Sequence, residues 1–553
     1  MKLFLKRQIQ LLKKNGLSEV YRKINILSLL VIKFPLFTLG ALISIVIIIF
    51  CICLRKNLIV KKLICWRLGH FAGNTDFILN LIQDSKISKN DFLLFYYPCE
   101  SCNDFLKSKI DESITTINKY VGVPLRWLSK FFFVDIIESD RDIYNLLDKY
   151  PPNFPLSKPE IDKGLKFLKS IGIESTDKWI CLNVRDDSYL YNQSAHVGAR
   201  VDWSYHDYRN CSISNYKEAA ITLANLGYFV FRMGASVNEK FDVNHPRIFD
   251  YATNGMRTDF LDVFLGSTCT FAISNGTGFD ALPYIYRRPI LYVDHVPLQL
   301  INSFSSRFLI TTKKIWSLEL QRYLSYQEQI DLKMDTNRWC ENKENLKKIR
   351  IDESSPEDIS SYVIEMHERI NNLNIDTDED IALHRDFINI MENNPNYHGE
   401  FRAKVSSFFL RKNKFLLEVK YLTSLKPFYN KRSIYIKHAL FLPNFFINKT
   451  FFKKIKILFD SATKLNKYYC LKLLHKFFVF LFVPPCIPFI IFIRILSPIY
   501  RINIGLILSE RMGHLAGNTY IYAINKIHGI HNPASLDLFA YNYPVANKSL
   551  LRV

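Results

Sequence analysis

The chain has 553 residues, and its 73 Lys and Arg against 52 Asp and Glu give a formal net charge of +21. Hydrophobic residues make up 48%, which excludes a disordered chain, and 19 Gly and 21 Pro without any period exclude collagen and low-complexity proteins. The 11 Cys are scattered, so we expect free thiols in a reducing compartment rather than a disulfide scaffold.

The first predicted element is an uncharged segment of 21 residues, 34–54, which is long enough to cross a bilayer. Lys and Arg flank it on both sides, at Lys2, Lys6, Arg7, Lys13, Lys14, Arg22, Lys23, Arg55, Lys56, Lys61 and Lys62. Because cations on both flanks conflict with the positive-inside rule for a simple span, we expect a re-entrant or interfacial segment with both ends cytoplasmic. The alternative is a buried core helix.

These basic clusters adjoin apolar stretches and do not form one block with interleaved aromatic residues. We therefore expect a membrane surface as a partner, and no nucleic acid. The expected location is the cytoplasmic face of the inner membrane, with the protein membrane-associated.

An internal repeat divides the chain. Arg67-Leu-Gly-His-Phe-Ala-Gly-Asn-Thr75 recurs as Arg511-Met-Gly-His-Leu-Ala-Gly-Asn-Thr519, identical at seven of nine positions. We expect one complete unit followed by a truncated second start. The predicted domains are a basic and apolar segment (1–55), two Rossmann-like domains (56–170 and 171–375), carboxyl-terminal helices (376–416) and the truncated copy (417–553).

Within the first unit, apolar runs alternate with helical patterns. The first block predicts a strand at 63–67, a loop at 69–74 and a helix from Thr75 to Ile82. The second block predicts a helix at 215–226 ended by Gly227, a helix capped by Thr258 or Asp259, and strands at 179–184, 228–231, 269–273 and 289–293. Strands separated by helices indicate parallel βαβ units. We predict an α/β fold of two Rossmann-like domains that face a cleft.

The most informative loop follows the third of these strands. It contains Ser274, Asn275, Gly276, Thr277, Gly278 and Asp280. Glycines let the backbone approach a ligand, and free amides at a helix start favour an anion such as a diphosphate. The alternative is a plain strand-to-helix turn, and no Gly-Lys-Ser/Thr follows that would indicate a P-loop.

Two arginines, Arg185 and Arg232, each end a predicted strand. In a parallel sheet this places guanidinium groups at the edge where ligands bind, and their geometry suits phosphate oxygens. Either one alone is more often half of a surface ion pair. Together with the glycine loop they predict a pyrophosphate subsite.

The loop predicted in the first half contains Gly69, His70, Asn74 and Thr75, followed by Asp76. A histidine between strand and helix can act as a general base near neutral pH, and Asp76 could orient it or take that role. The alternative is that His70 only shapes the turn. Cys99 and Cys102 form a lone C-x-x-C, and Asp376 and Asp378 belong to an acidic helix start, so we expect no metal site.

Five motifs taken together resemble a bacterial family of glycosyltransferases associated with surface-polysaccharide synthesis. They are Arg-x-Gly-His-x-Ala-Gly-Asn-Thr (67–75), Cys-Leu-Asn-Val-Arg-Asp (181–186), Tyr-Arg-Asn-Cys (208–211), Phe-Arg-Met-Gly (231–234) and Ile-Ser-Asn-Gly-Thr-Gly (273–278). The order of strand-end arginines and small-residue loop is similar to the donor half of the GT-B fold.

The resemblance implies that Arg185, Arg232 and the 274–278 loop hold a nucleotide diphosphate sugar, as co-substrate, without an obligatory metal or cofactor. It implies that His70 or Asp76 deprotonates a glycan or lipid-linked acceptor. No paired Glu lies near the glycine loop, which favours inversion. Two alternatives are a non-catalytic nucleotide- or sugar-binding scaffold of a polysaccharide assembly complex, and a phosphatase or nucleotidase.

Overall fold

The computed structural model describes residues 35–85, 87–88, 91–133, 141–189, 191, 204–340, 342–373, 375–392, 400–418, 502–507 and 536–541. The chain divides into two compact units, Leu39–Lys437 and Met1–Thr38 with His438–Val553. The first unit contains every element that bears on the candidate site.

The amino-terminal part of the first unit is built on a small parallel sheet. Its elements are α1 Pro35–Cys53, β1 Leu58–Lys62, α2 Leu68–Gln83, β2 Phe92–Tyr96, α3 Asp104–Asp111, β3 Thr116–Ile117, α4 Lys119–Ser129 and α5 Lys158–Ser170. The strand order is β1-β2-β3, and Leu58 pairs with Phe92. Asn103 and Asn118 cap α3 and α4 through their side chains.

Two predictions for this part are wrong. The strand expected at 63–67 lies earlier, at Leu58–Lys62, because Lys61 is tolerated inside the sheet, where its side chain is buried. The residues expected as a loop at 69–74 belong to α2, which begins at Leu68 rather than at Thr75. Two glycines in the first two turns of the helix, Gly69 and Gly73, mimic a loop pattern.

The carboxyl-terminal part contains a seven-stranded sheet. It is formed from β4 Trp179–Asn183, a 3-10 helix Ser204–Arg209, α6 Lys217–Asn225, β5 Phe229–Arg232, β6 Ile248–Phe249, α7 Asp259–Thr268, β7 Phe271–Ser274, α8 Ala281–Ile285, β8 Ile290–His295 and β9 Phe308–Thr312. It continues with β10 Lys314–Ser317, β11 Arg322–Tyr323, α9 Tyr326–Asp331, α10 Asn337–Cys340, α11 Lys343–Leu346, β12 Ile349–Asp352, α12 Pro356–Ile370, α13 Asp378–Glu392, β13 Lys404–Val405 and α14 Ser407–Lys412.

The strands of the large sheet run in the order β13-β9-β8-β7-β4-β5-β6, and every pair is parallel. The four strands predicted in this block are confirmed, with ends within two residues of the predicted ones. Gly227 follows α6 with a φ of +92°, and Thr258 caps α7 by accepting a hydrogen bond from the amide of Leu261 at 3.1 Å. The predicted α/β class with parallel sheets is confirmed, while two domains facing a cleft stay a prediction.

The core is continuous between the two parts of this unit. Strands β4, β7, β8 and β9 are buried along their whole length, as expected of a sheet covered on both faces. Helices α3 and α5 of the amino-terminal part pack against α7, and α2 packs against α8.

In the second unit, the described residues form one parallel strand pair, β14 Ile502–Ile507 with β15 Leu536–Tyr541. Ile502 pairs with Leu536, and it stands as far before the second motif as Leu58 stands before the first. The second motif itself, 511–519, lies outside the described residues.

Candidate functional site

In the large sheet, successive strands are added first on one side of β4 and then on the other, so the strand order reverses at β4. From β4 the chain builds outward through β5 and β6 on one side, and then through β7, β8 and β9 on the other. The loops that follow β4 and β7 therefore leave the sheet in opposite directions, and the crevice between them is where open α/β sheets bind ligands. Arg185 lies in the first of these loops and residues 274–280 form the second.

The loop after β7 is held by its own side chains. Ser274 Oγ accepts a hydrogen bond from the Gly276 amide at 3.2 Å, and Asp280 accepts two bonds from Thr277, from its amide at 2.9 Å and from its hydroxyl at 3.0 Å. Burial raises the pKa of Asp280 to about 6. The side chains that were predicted to bind the sugar donor thus hold the loop in shape. The loop can therefore contact a ligand mainly through its backbone.

The same loop is tied to the chain after β4. Asn275 Oδ1 accepts a hydrogen bond from the Arg185 amide at 2.8 Å, and Asn275 Nδ2 donates to the Arg209 carbonyl at 3.3 Å. Gly276 has a φ of +84°, a conformation that L side chains rarely adopt, and its carbonyl accepts a bond from Arg209 Nη2 at 2.7 Å. These contacts bring Arg185 and the 274–280 loop together, as the sequence predicted.

Three arginines and one histidine, together called the cation cluster, surround this junction: Arg67, Arg185, Arg209 and His206, whose lowered pKa leaves it neutral at pH 7. Arg185 Nε is buried and has no hydrogen-bond partner among the described residues. Burial, followed by the charge of Arg209, lowers the pKa of Arg185 to about 10. Burial, followed by the charges of Arg185 and Arg209, lowers the pKa of His206 to about 4.

The lowered pKa values mean that burial and nearby positive charge disfavour the protonated forms of Arg185 and His206. Arg209 shows the same direction, and burial is again the main cause. An anion bound among these groups would relieve both the desolvation and the mutual repulsion. Half-buried arginines that repel one another at a sheet's ligand-binding edge are typical of a phosphate site.

The amino-terminal end of α2 lies against the same loop. A Cβ placed on Gly69 would come within 2.9 Å of the Gly278 Cα, so the two backbones touch only because both residues are glycine. No side chain caps this helix end, whose first residue is preceded by Arg67. Uncapped amides at the start of a 16-residue helix add a further preference for an anion.

His70 and the other predicted acceptor-side residues lie in this helix. His70 is half-buried in the first turn, next to Gly69 and therefore close to the 274–280 loop. Asn74 is half-buried one turn further along, and Thr75 is buried, with its hydroxyl donating to the Phe71 carbonyl at 2.6 Å. Of this set, His70 and Gly69 are the residues that the structure brings to the loop.

Asp76 does not face the site. It is fully buried, and its carboxylate accepts bonds from Arg287 Nη1 at 2.9 Å, Asn153 Nδ2 at 2.7 Å and Asn80 Nδ2 at 3.0 Å. Burial raises the pKa of Asp76, and these partners oppose the shift. Because its acceptor positions are taken by an internal network, we assign Asp76 a structural role and correct the expectation that it serves as a base.

Arg232 also departs from its predicted position at the rim. Its side chain is buried, and Nη1 forms an ion pair with Asp250 at 3.0 Å. The guanidinium group therefore fixes the segment after β5, and Arg209 is the second arginine at the loop. A strand-end arginine that pairs with a carboxylate 18 positions later cannot be told from a ligand-binding one by its position alone.

Three members of the cation cluster and one further residue were not predicted from the sequence. Arg67 and Arg209 lie within two of the motifs that carry the family resemblance, 67–75 and 208–211. Those motifs could have indicated both residues. The further residue is His295, at the end of β8, which is buried with both ring nitrogens unpartnered among the described residues. A Cβ on Gly276 would lie 3.2 Å from His295 Nε2, so this imidazole sits directly beneath the loop.

One cluster of possible metal ligands occurs in the part of the chain that the structure describes: Cys211, Asp294 and Glu353, whose ligand atoms lie within 4.8 Å of one another. Ser354 donates to Asp294 through its amide and its hydroxyl, and Lys313 Nζ lies 3.7 Å from Glu353. These partners already satisfy the carboxylates. In the C-x-x-C pair, burial raises the pKa of Cys102 to about 12, so its thiol is a poor metal ligand.

Comparisons with known proteins add structural neighbours. No protein-family model matches the chain, and no curated protein does. It is similar to the ADP-heptose lipopolysaccharide heptosyltransferase II of E. coli, with 14% identity over 46% of this chain and 90% of that one and a TM-score of 0.29. It is also similar to a family 9 glycosyl transferase of Veillonella parvula, with 12% identity over 56% and 97% of the two chains and a TM-score of 0.34.

A third neighbour is the iron-containing dodecameric glycosyltransferase TibC of enterotoxigenic E. coli, with 14% identity over 44% of this chain and 62% of that one, at a TM-score of 0.25. All three neighbours are bacterial glycosyltransferases.

Proposed function

We propose that this chain is a glycosyltransferase that moves a sugar from a nucleotide diphosphate sugar to a glycan or lipid-linked acceptor in bacterial surface-polysaccharide synthesis. The observation that carries the proposal is the cation cluster at the reversal point of the large sheet. Burial and the charge of Arg209 disfavour the protonated form of Arg185, and the cluster meets the glycine loop and the start of α2 in one place.

Such an arrangement stabilises a leaving diphosphate. As the bond to the sugar breaks, negative charge grows on the phosphate oxygens, and donors already fixed in position lower the barrier most. The Arg209 guanidinium donates to the Gly276 carbonyl, and Asn275 accepts a hydrogen bond from the backbone amide of Arg185, so the Arg209 side chain and the chain at Arg185 are fixed before substrate arrives. In this proposal the cation cluster supplies the charge stabilisation, without an obligatory metal.

His70 is the proposed general base. It occupies the first turn of α2, beside the contact between Gly69 and Gly278. A base in the first turn of α2 and a diphosphate held by the 274–280 loop are close enough to act on the two bonds of one sugar between them. That geometry favours a single displacement with inversion, which proton NMR of the first product formed reports directly.

The test is a turnover assay on the full chain in detergent or lipid, with UDP-, GDP-, ADP- and CMP-sugars, and with lipid-linked glycans as acceptors. We expect release of one nucleotide that depends on acceptor, and a loss in His70→Ala of about a hundredfold or more in kcat. Lys347→Gln is the matched control, since Lys347 is an exposed basic residue paired with Glu344.

Other outcomes would refute the proposed transfer. Nucleotide binding without release from any sugar would identify a scaffold. Hydrolysis of free nucleotides without acceptor would identify a nucleotidase. A His70→Ala variant with unchanged kcat would refute the assigned base while leaving the diphosphate site in place.

A further inference from the structure

Helix α1 is attached to the protein along one narrow stripe. The buried positions are Gly40, Ser44, Ile48 and Cys51, which follow each other at the spacing of a single helix face. A Cβ on Gly40 would lie 1.9 Å from the Tyr120 carbonyl oxygen, so only glycine permits this approach to α4. The attachment is side-on, and it involves the middle of α1 rather than one end.

A hydrogen bond strengthens the same contact. Ser44 Oγ lies 2.7 Å from the Gly40 carbonyl oxygen and 3.2 Å from the Val121 carbonyl oxygen, so its hydroxyl bridges the two helices. Phe50 approaches the ring of Phe92 on β2, with 6.3 Å between centroids. Helix α1 is therefore seated on the folded unit from Gly40 to Cys51.

The remaining surface of α1 is apolar and uncovered. Its large side chains are between 41% and 66% exposed, and they are Leu36, Leu39, Leu42, Ile43, Val46, Ile49, Phe50 and Ile52. Among the described helices, α1 is the one long and apolar enough to cross a membrane. A contiguous apolar face of this size on a folded protein marks a surface that another apolar phase covers.

Basic and aromatic groups directly after α1, and on the helix α4 that holds it, match a lipid interface. Arg55 is exposed directly after the helix, and Lys56 Nζ lies 5.1 Å above the Phe92 ring. On α4, Trp127 is 41% exposed and packs edge-on against Phe131 at 5.1 Å. Cations and a half-exposed tryptophan are the groups that anchor proteins at the headgroup level of anionic membranes.

We propose that α1 lies in the plane of an anionic membrane, with its exposed apolar face in the acyl boundary and the folded unit on one side. If α1 crossed the bilayer instead, the side-on contact at Gly40 and Ser44 would carry the start of α4, with Lys119, into the hydrocarbon region. A charged side chain at that depth is strongly unfavourable. The buried stripe that attaches α1 to the folded unit therefore favours the in-plane arrangement over a span. This membrane contact is a property separate from the proposed glycosyl transfer.

The first experiment is flotation of the full chain with vesicles of phosphatidylcholine alone or mixed with phosphatidylglycerol. The test variant is Leu39→Asp with Val46→Asp, which alters only exposed positions. The matched control is Leu226→Asp with Ile381→Asp, two apolar residues that are 42% and 58% exposed elsewhere on the unit. We expect the test variant to lose vesicle binding on the order of a hundredfold and the control to bind like wild type.

A third variant tests the charge. Arg55 has a φ of +54°, so Arg55→Asn removes the cation and keeps a residue that tolerates this conformation. We expect binding to the phosphatidylglycerol vesicles to fall about fivefold, and binding to neutral vesicles to stay unchanged.

The second experiment separates the in-plane arrangement from a span. An amino-terminal tag is exposed to protease in inverted and in right-side-out membrane vesicles. We expect the tag to be cut on the side that carries the folded unit. Cleavage on the opposite side would overturn the in-plane arrangement. Equal flotation of the test variant and wild type would refute the lipid-binding surface. A wild-type protein that binds no vesicles but forms a dimer, which the test variant converts to monomers, would refute it as well.

Discussion

The pair formed by Asp76 and Arg287 allows the sharpest test of how the two parts of the first unit are held together. Asp76→Asn keeps the size of the side chain and removes its charge, which leaves the Arg287 guanidinium buried without its carboxylate. Breaking a buried ion pair in this way costs about 3–5 kcal/mol. Arg287 retains bonds to the carbonyls of Tyr150 and Pro151, both at 2.8 Å, so we expect the lower end, about 3 kcal/mol.

The predicted loss converts into a shift of the melting temperature. A unit of about 400 residues unfolds with an entropy of about 0.8 kcal/mol per degree, so 3 kcal/mol lowers Tm by about 4 °C. The assay is thermal unfolding of the full chain followed by near-UV circular dichroism. Glu344→Gln is the control, because it removes an exposed partner of Lys347 and costs less than about 1 kcal/mol.

Activity supplies the second readout of the same variant. If Asp76 is structural, Asp76→Asn measured well below its Tm keeps kcat within about tenfold of wild type. A variant that unfolds at the wild-type temperature but loses kcat by about a thousandfold would show that Asp76 is a catalytic base, and the structural assignment would be refuted.

Three further predictions concern the glycine loop and its contacts. Gly276→Ala and Gly255→Ala both place a side chain at a φ near +84°, so each should lose about 1–2 kcal/mol of stability. Gly255 has open space around it and serves as the control. Only Gly276→Ala should also weaken nucleotide affinity, measured by calorimetry. Gly73→Ala places a Cβ 2.0 Å from the Tyr284 hydroxyl, so it should lower Tm, and Tyr284→Phe should restore part of the loss in the double variant. Because burial raises the pKa of Asp280 from 3.8 to about 6, the folded state binds this proton more tightly, so Asp280 contributes a gain in the free energy of unfolding as pH falls from 7 to 5. His206, with its lowered pKa, acts in the opposite direction, so the test is a difference: in denaturant titrations Asp280→Asn should lose free energy of unfolding relative to wild type as pH falls over this range.

The sequence predicts the large sheet well for a physical reason. Its strands are buried on both faces and read as short, uninterrupted apolar runs, so β4, β5, β7 and β8 could be located within two residues. The small sheet is harder, because β1 ends in Lys61 and Lys62, and a buried lysine inside a strand breaks the apolar pattern.

The candidate site was predictable where it follows a strand and not where it depends on long-range pairing. Arg185 and the 274–280 loop stand at strand ends, and the structure joins them. Arg209 lies in a 3-10 helix that has no apolar pattern of its own. The partner of Asp76 stands 211 positions along the chain, so no local pattern could show that this carboxylate is buried and paired.

The repeated motif acquires a structural meaning from these contacts. Gly69 approaches Gly278, and Gly73 approaches Tyr284, so in the first copy the motif seats α2 on the carboxyl-terminal part. In the second copy Tyr520 stands at the position of Asp76, so the carboxylate that pairs with Arg287 is not part of the repeated sequence. The sequence alone suggested a catalytic histidine loop, because glycine spacing does not distinguish close helix packing from ligand approach.

The most direct test of the proposed diphosphate site is a thermal-shift panel on the full chain with UDP, GDP and ADP, and with CMP as the monophosphate comparison. Wild type is measured beside Arg209→Gln, with Arg350→Gln as a control because Arg350 is an exposed arginine paired with Asp352. We predict that one nucleoside diphosphate at about 100 times its Kd stabilises wild type and Arg350→Gln by about 2.7 kcal/mol, and that Arg209→Gln loses this gain. No shift with any diphosphate in a folded sample, or an equal shift in Arg209→Gln, would contradict the assignment of the cation cluster as the donor site.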